Sequence, residues 1–320
     1  MLLSLVVTFG SLTLLIPYLR AIGTEQTVRE DGPVWHNAKG KKPTMGGIGF
    51  ILGISTAILT TPPLRARSSS EPYLILLCAL SFAVIGFFDD YMKVIWRRNL
   101  GLTAKQKIVM QLIAAVAFIC ALAMGGYYNP ELAIPFTGAT LRLGFLFPPV
   151  AVFIILATVN GVNLTDGLDG LAASVTIPIA VLFMAIASRY RSETMWNASS
   201  ALFGGLLGYL PYNLPKAKVI MGDVGAFFLG GLVVSMGFLV SMPMLIAVFG
   251  IVYVLEVLSD VIQLLWMRRT GKRFFKMAPL HHHFEMLGYT ELQIDLLFTA
   301  ISTVGCAVAY FAYTSFYPVL

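Results

Sequence analysis

The chain contains little charge. Only 12% of its 320 residues are Asp, Glu, Lys or Arg, whereas 58% are hydrophobic, and soluble domains carry about 25% charged residues. The mean hydropathy of +0.81 is likewise that of a strongly apolar chain. This balance excludes a disordered chain, a basic nucleic-acid-binding domain and an ordinary cytosolic enzyme, and it indicates a polytopic helical membrane protein.

Cysteine is scarce as well. The three cysteines, Cys78, Cys120 and Cys306, all lie inside apolar runs, where we expect them to act as small buried hydrophobic residues. Because their number is odd and no pairing is obvious, the sequence excludes a secretory disulfide framework.

Long apolar runs are plentiful, and a helix needs about 20 apolar residues to cross the hydrocarbon core. The runs lack the strict alternation of membrane β-strands, and the first lacks the basic start and clear cleavage site of a signal peptide. We therefore expect an all-α integral membrane protein, with a single polytopic membrane domain over residues 1–320. About ten transmembrane helices are predicted, at residues 2–19, 47–63, 72–88, 107–125, 145–160, 171–188, 199–213, 224–242, 244–266 and 292–318.

The basic residues predict the orientation of these helices. The loops after even-numbered runs hold only five of the 22 Lys and Arg residues, namely Arg65, Arg67, Arg142, Arg189 and Arg191. Loops rich in Lys and Arg stay in the cytoplasm. We therefore expect both termini outside and an active site on the cytoplasmic face. Gly204 and Gly208, four residues apart, fit close helix packing within the seventh run.

Aspartates lie at the predicted cytoplasmic boundary. Asp89 and Asp90 end the third run, where two carboxylates oppose the helix macrodipole; a cap on a following helix is the alternative. Asp223 precedes the eighth run, between Gly222 and Val224-Gly225. A lone aspartate there is more often an N-cap, but its glycine neighbours and the other aspartates favour a ligand.

A second set of polar side chains recurs at every third position after the fifth run, at Asn160, Asn163, Asp166 and Asp169. On a helix they would share one side, and the glycines among them would also permit a loop close to a ligand. A solvated loop would not need this spacing. The pattern therefore favours a binding segment.

Three consecutive histidines stand in the last predicted cytoplasmic loop, at His281, His282 and His283. Neighbouring helical residues diverge, so they cannot all face one metal ion, and beside Arg and Lys they suit phosphate better; a plain surface loop is the alternative. Within the ninth run, Glu256 and Asp260 lie one turn apart, with Gln263 following. Intramembrane carboxylates usually serve function, and we expect them to face one polar cavity or to form salt bridges.

These residue types fit divalent-metal chemistry on a diphosphate. Mg²⁺ takes oxygen ligands, commonly one or two carboxylates plus substrate phosphates, and basic side chains neutralise charge on a transferred phosphoryl group. The segment 39–47, basic with a proline and a glycine pair, suits a loop that contacts phosphate. A cation transporter lined by aspartates is the alternative of a different class, and it would place the acids near the bilayer midplane.

The motifs together resemble those of the bacterial phospho-N-acetylmuramoyl-pentapeptide transferase family, also called translocase I. The matching segments are Pro43-Thr44-Met45-Gly46-Gly47, Asp89-Asp90-Tyr91-Met92-Lys93, 163–170 (Asn-Leu-Thr-Asp-Gly-Leu-Asp-Gly), Met221-Gly222-Asp223 and 278–285 (Ala-Pro-Leu-His-His-His-Phe-Glu). The Asp pair and the Gly-Asp motif are similar to those of the wider superfamily of polyprenyl-phosphate sugar-1-phosphate transferases. The histidine block resembles the muramoyl-pentapeptide branch.

The resemblance implies a ten-helix, usually dimeric, Mg²⁺-dependent enzyme of the bacterial cytoplasmic (inner) membrane. It would transfer phospho-MurNAc-pentapeptide from UDP-MurNAc-pentapeptide to undecaprenyl phosphate, releasing UMP, in the first membrane step of peptidoglycan synthesis. A transferase for UDP-GlcNAc from the same superfamily is the alternative.

The resemblance also assigns roles to individual residues. It makes Asp223 the Mg²⁺ ligand and a catalytic residue, with Asp89 and Asp90 as catalytic carboxylates and Asp89 as the favoured base towards the lipid phosphate. The implied substrate-binding residues are Lys39, Lys93, and Lys105 or Lys107 for phosphates; Asn160, Asn163, Asp166 and Asp169 for the nucleotide and sugar; His281, His282 and His283 for the diphosphate or peptidyl sugar; and Asn213 and Gln263 along the cleft.

Overall fold

Each predicted apolar run overlaps a helix. The computed structural model describes residues 1–24, 42–61, 69–96 and 101–316. Its helices are α1 (Leu2–Ala21), α2 (Gly47–Thr60), α3 (Glu71–Trp96), α4 (Ala104–Met124), α5 (Phe147–Thr165), α6 (Leu171–Tyr190), α7 (Glu193–Asn213), α8 (Gly222–Leu239), α9 (Ile246–Phe249), α10 (Ile251–Thr270), α11 (Leu280–Glu285) and α12 (Glu291–Phe316). Two short strands, β1 (Glu131–Ala133) and β2 (Thr140–Arg142), lie between α4 and α5.

Seven of the described helices are long and apolar enough to cross a membrane, and the bent pair α9–α10 makes an eighth candidate. The remaining two predicted spans correspond to α2, a shorter apolar helix of 14 residues, and to α7. The prediction of an all-α membrane protein is confirmed at this level. The exception is the antiparallel β1–β2 hairpin, in which Glu131 lies opposite Arg142 and forms an ion pair of 2.6 Å with it.

The ninth run, predicted as one helix over 244–266, is broken. α9 ends at Phe249, and the chain bends by 82° before α10 begins at Ile251. Gly250 separates the two helices, and glycine loses more backbone freedom in a helix than any other residue. Beyond the break, residues 264–270 at the end of α10 are all exposed.

The burial of the cysteines is also corrected. Cys78 and Cys306 are buried as expected, but Cys120 is exposed. It lies on α4, of which only 33% of the apolar segment is buried inside the protein. An apolar run was expected to be interior, but in a membrane helix the outer face is apolar too, because it contacts lipid.

α8 lies at the centre of the helix bundle. Of its apolar segment, 89% is buried, the largest share among the candidate spans, and it packs against α3, α5 and α2. A Cβ on Gly230 would lie 2.6 Å from Val159 Cα, and one on Gly231 would lie 2.9 Å from Ala79 Cα. Small residues let membrane helices approach this closely, and here they pack the middle of α8 against α5 and α3.

A second small-residue crossing joins α1, α2 and α7. Ser4 Oγ donates to the Ala201 carbonyl at 2.7 Å. Cβ atoms on Gly204 and Gly208 would lie 2.2 and 2.7 Å from carbonyl oxygens at the start of the chain. The close packing predicted from their four-residue spacing is therefore confirmed.

We expect Gly53→Ala to destabilise this crossing. The added Cβ would lie 2.6 Å from the Ser4 carbonyl and 2.1 Å from Thr8 Oγ1, and overpacking of this kind costs about 1–3 kcal/mol. Gly10→Ala in α1 is the matched control, because a Cβ there meets nothing within 4 Å and alanine is the better helix former. Thermal unfolding in one detergent measures both, and equal shifts for the two variants would contradict the packing described here.

Candidate active site

Three carboxylates meet where α3 ends and α8 begins. One oxygen from each of Asp89, Asp90 and Asp223 lies within 4.8 Å of the others, and Asp89 and Asp90 are fully buried. A glycine makes this meeting possible, because a Cβ on Gly86 would lie 2.2 Å from the Asp223 carbonyl oxygen. The two helices therefore touch backbone to backbone beside the carboxylates. We call these three residues the acid cluster.

Helix capping accounts for only part of the acid cluster. Asp89 Oδ1 accepts a bond from Leu102 N at 2.9 Å, but the N-cap of α4 is Thr103, which forms a capping box. Asp90 Oδ2 accepts from Val224 N at 3.1 Å, so it satisfies the first turn of α8 from a neighbouring helix. The N-cap of α8 is Met221, and Asp223 lies inside the first turn rather than at the N-cap position.

Two lysines bridge the acid cluster. Lys93 Nζ lies 2.6 Å from Asp89 Oδ2 and 3.1 Å from Asp223 Oδ2, and Lys107 Nζ lies 3.2 and 2.8 Å from the same two oxygens. Lys93 follows Asp89 by one helical turn, and Lys107 reaches in from α4. Of the two lysines that the sequence left as alternatives, the structure therefore brings Lys107 to the cluster, while Lys105 is exposed on the same helix.

The two asparagines at the end of α5 contact different partners. Asn163 Nδ2 donates to Asp223 Oδ1 at 2.9 Å. Asn160 exchanges two bonds with Gln111 of α4, at 2.9 and 3.2 Å. Asn163 thus completes the contacts of the acid cluster, whereas Asn160 joins α5 to α4 beside it.

The two aspartates of this segment lie beyond the end of α5, so the four polar residues do not share one helix face. Asp169 Oδ2 pairs with Lys42 Nζ and accepts from Ala217 N at 3.0 Å. Asp166 has no salt-bridge partner within the described part of the chain. Burial, together with the nearby Asp223 and Asp90 carboxylates, raises the pKa of Asp166 well above its ordinary value.

The three histidines of α11 diverge as predicted. His281 Nδ1 lies 2.9 Å from Glu256 Oε2, and His282 Nδ1 lies 2.7 Å from Glu285 Oε2. His283 Nδ1 accepts from the backbone of the loop before α11, at 3.1 Å from Lys276 N. The structure does not bring the three imidazoles to one ligand.

His281 links α11 to the segment after α5. Its ring stacks so closely over Gly167 that a Cβ there would lie 2.2 Å from Nε2, and Nε2 is buried without a hydrogen-bond partner in the described residues. Glu256 also accepts from His281 N at 3.2 Å. Of the two expectations for Glu256, a shared polar cavity or a pairing with a basic group, its contacts with His281 fit the second.

Asn213 and Gln263 form hydrogen bonds with the backbone of neighbouring segments. Asn213 is buried and accepts from Gly170 N at 3.1 Å while donating to the Val219 carbonyl at 3.0 Å. Gln263 Oε1 accepts from the backbone N–H groups of residues 274 and 275, at 3.0 and 2.9 Å. Lys39 lies outside the described residues.

Comparison with known proteins shows what the chain is similar to. The family model of glycosyl transferase family 4 matches residues 73–241. The phospho-N-acetylmuramoyl-pentapeptide-transferase of Clostridioides difficile (strain 630) is 43% identical over 292 residues, which cover 90% of this chain and 89% of that protein. The protein of the same name from Clostridium botulinum (strain Eklund 17B / Type B) is 40% identical over 299 residues, 93% and 90% of the two chains.

The chain belongs to the phospho-N-acetylmuramoyl-pentapeptide-transferase family. The resemblance inferred from the motifs is therefore confirmed, and it extends over most of the chain.

Two contacts of this transferase site were not foreseen from the sequence. Gln111 follows Lys107 by four residues and so lies on the same face of α4, a spacing that could have identified it. The pairing of Lys42 with Asp169 spans 127 positions, and no local pattern indicates it.

We expect Asp166→Asn to raise the thermal stability of the metal-free protein at neutral pH, because it removes a carboxylate whose charged form the fold disfavours. Asp169→Asn is the matched control. It should lower stability, because it weakens the contacts with Lys42 and Ala217 N. We expect opposite shifts of about 1 kcal/mol each, a few degrees in the unfolding midpoint.

The pH dependence checks the cause. The pKa of folded Asp166 lies above its ordinary value of 3.8. The cost to stability is therefore absent well below pH 3.8, where both states are protonated, grows as the unfolded state ionises, and is complete above the raised pKa. The gain from Asp166→Asn should therefore be larger at about pH 8 than at about pH 5. An equal gain at both pH values would rule out this explanation.

Proposed function

We propose that the chain transfers phospho-MurNAc-pentapeptide from UDP-MurNAc-pentapeptide to undecaprenyl phosphate, giving undecaprenyl-diphospho-MurNAc-pentapeptide and UMP. This would be the first membrane step of peptidoglycan synthesis. The observation that carries the proposal is the lysine-bridged acid cluster in a chain of this family. It combines acceptors for a metal with donors for a diphosphate at the end of two apolar helices.

The acid cluster fits a Mg²⁺ ion. Its donors are carboxylate oxygens, the ligand type that Mg²⁺ prefers. Asp90 Oδ1 is buried without a hydrogen-bond partner in the described residues, and the nearest cation among them, Lys93 Nζ, lies 3.6 Å from it. Asp223, the least buried of the three, would hold the ion together with substrate oxygens. When bound, Mg²⁺ would polarise the phosphoryl group that is transferred.

The chain's own residues would position and neutralise the reacting groups. Lys93 and Lys107 would neutralise negative charge on the diphosphate of the donor. Both ammonium groups already lie at the acid cluster, where Asp89 and Asp223 share them. A phosphate monoester has its second pKa near about 6, so the lipid phosphate is mostly a dianion at neutral pH. Asp89 would then orient it, or remove its last proton, for one in-line displacement on the β-phosphorus.

The lipid acceptor would approach from the bilayer side of α3. Phe87, Phe88 and Tyr91 flank the Asp pair in the sequence and lie on the outer face of this helix, 37%, 46% and 46% exposed. Phe87 and Tyr91 stack with ring centroids 5.8 Å apart. An aromatic outer surface on the helix that carries the buried carboxylate pair suits a ligand with a prenyl tail and a phosphate head.

We also propose the orientation and assembly that the charge pattern and the resemblance imply. The enzyme would be a multi-pass homodimer of the bacterial inner membrane, with ten spans, both termini outside and the acid cluster facing the cytoplasm. In a Cys120→Ser background, a cysteine at the exposed position Lys272 should be labelled only from the cytoplasmic side, and one at Arg191 only from outside. Labelling of position 272 from outside would overturn this orientation.

A transfer assay tests the function itself. UDP-MurNAc-pentapeptide and UDP-GlcNAc, each radiolabelled in the sugar, are offered separately with undecaprenyl phosphate. We expect Mg²⁺-dependent transfer from the first donor only; transfer from UDP-GlcNAc alone would favour the alternative enzyme.

Asp223→Asn should lower this transfer at least about 100-fold, because one carboxylate ligand among waters and phosphates is hard to replace. Glu71→Gln is the matched control, because it lies on α3 about 27 Å from Asp89 along the helix. Near-full activity of Asp223→Asn at ordinary Mg²⁺ would show that Asp223 is no metal ligand.

A further inference from the structure

A second polar site is lined by Asp169, on the segment that follows α5. A cavity of about 660 Å³ opens between the end of α1, residues 42–43, the turn at 215–218 and the start of α12. Four cationic side chains line it, those of Arg20, Lys42, Lys216 and Lys218, against the two acids Asp169 and Glu291. We call it the basic cavity.

The floor of the basic cavity is a built structure. Asp169 holds both Lys42 and the backbone of Ala217, and the Lys42 and Asp169 side chains are only 13% and 11% exposed. Lys216, which precedes Ala217, has a φ of 71°, a left-handed conformation that is uncommon for residues other than glycine. The bond from Ala217 N to Asp169 fixes this turn, so the lysine is held at the rim.

The basic cavity has more cationic than acidic side chains in its lining. Its acid Asp169 is already satisfied by Lys42 and Ala217 N. Within the described part of the chain, Arg20 and Lys216 are exposed and have no carboxylate at salt-bridge distance. The Lys218 ammonium lies 5.8 Å from the centroid of the Tyr212 ring. With Glu291 counted as the second acid, four cationic side chains face two carboxylates, and this excess of positive charge suits an anionic ligand.

The length of chain between the two sites sets an upper limit on the distance from the acid cluster to this cavity. Asn163 contacts Asp223, and Asp169 lies six residues further along the same segment. Six residues span at most about 20 Å, which limits the separation of the two sites. A pentapeptide in extended form spans about 17 Å, so a peptide anchored on a sugar at the acid cluster can place its far end in the basic cavity.

We propose that the basic cavity binds the C-terminal carboxylate of the donor's pentapeptide, with Arg20 and Lys216 as its binding residues. This inference rests on the proposed function, since the peptide is that of the donor substrate. The amino end of such a peptide is joined to the muramoyl group, so its free charge at the far end is the carboxylate. Two exposed cations at a rigid rim match one carboxylate that arrives from solution.

The test compares two donors, UDP-MurNAc-pentapeptide and the same compound with its C-terminal carboxyl group amidated. We expect the unaltered enzyme to favour the acid over the amide by about fivefold in kcat/KM, the size of one partly exposed ion pair. The double variant Arg20→Gln, Lys216→Gln should lose this preference. Arg189→Gln is the control, because Arg189 is exposed at the opposite end of α6 from Asp169 and should keep it.

The remaining outcomes separate the explanations. Equal use of acid and amide by the unaltered enzyme, or a preference that survives in the double variant, would overturn the proposal. A double variant that loses kcat/KM equally for both donors would also overturn it, because the cavity would then bind the nucleotide or diphosphate. Failure of the proposed function is distinct, since the unaltered enzyme would then transfer from neither donor. Unfolding midpoints of the three proteins exclude a folding defect.

Discussion

Two ammonium groups hold two helices together at the point where their carboxylates meet. Lys93 and Lys107 each contact Asp89 of α3 and Asp223 of α8 within 3.2 Å. Without these cations, three carboxylates this close would repel one another in a partly buried setting. Gly86 fixes the distance between the helices, and the lysines fix the charge. The rest of the site depends on this balance.

The segment from Asn163 to Gly170 connects the acid cluster to other parts of the bundle. Its first residue donates to Asp223, Gly167 packs under His281, and Asp169 organises the basic cavity. One short stretch after α5 therefore contacts the acid cluster, α11 and the basic cavity. The proposed donor has three parts, a diphosphate, a sugar and a charged peptide, and this stretch would lie next to a separate contact region for each.

The sequence predicted what depends on local pattern. Apolar length predicted the helices, and the spacing of Gly204 and Gly208 predicted a close crossing, because both properties are read within a few turns. The break at Gly250 was missed because the apolar run continues through it. The pairing of Asp169 with Lys42 was missed because it joins residues 127 positions apart, which only the fold brings together. Where motifs were dense, as at Asp89 and Asp223, the structure places them together.

In the proposed reaction the lysines neutralise charge on the phosphates, the carboxylates position the reacting groups, and no carboxylate attacks phosphorus. The contacts of Asp89 support this view. One of its carboxylate oxygens is bound to two ammonium groups and the other accepts from Leu102 N, and both contacts lower the nucleophilicity of the carboxylate. The most direct measurement is the stereochemical course of transfer from a donor with a chiral β-phosphorothioate. One direct displacement by the lipid phosphate predicts inversion at phosphorus. Net retention would mean two displacements through a covalent aspartyl intermediate and would contradict the account.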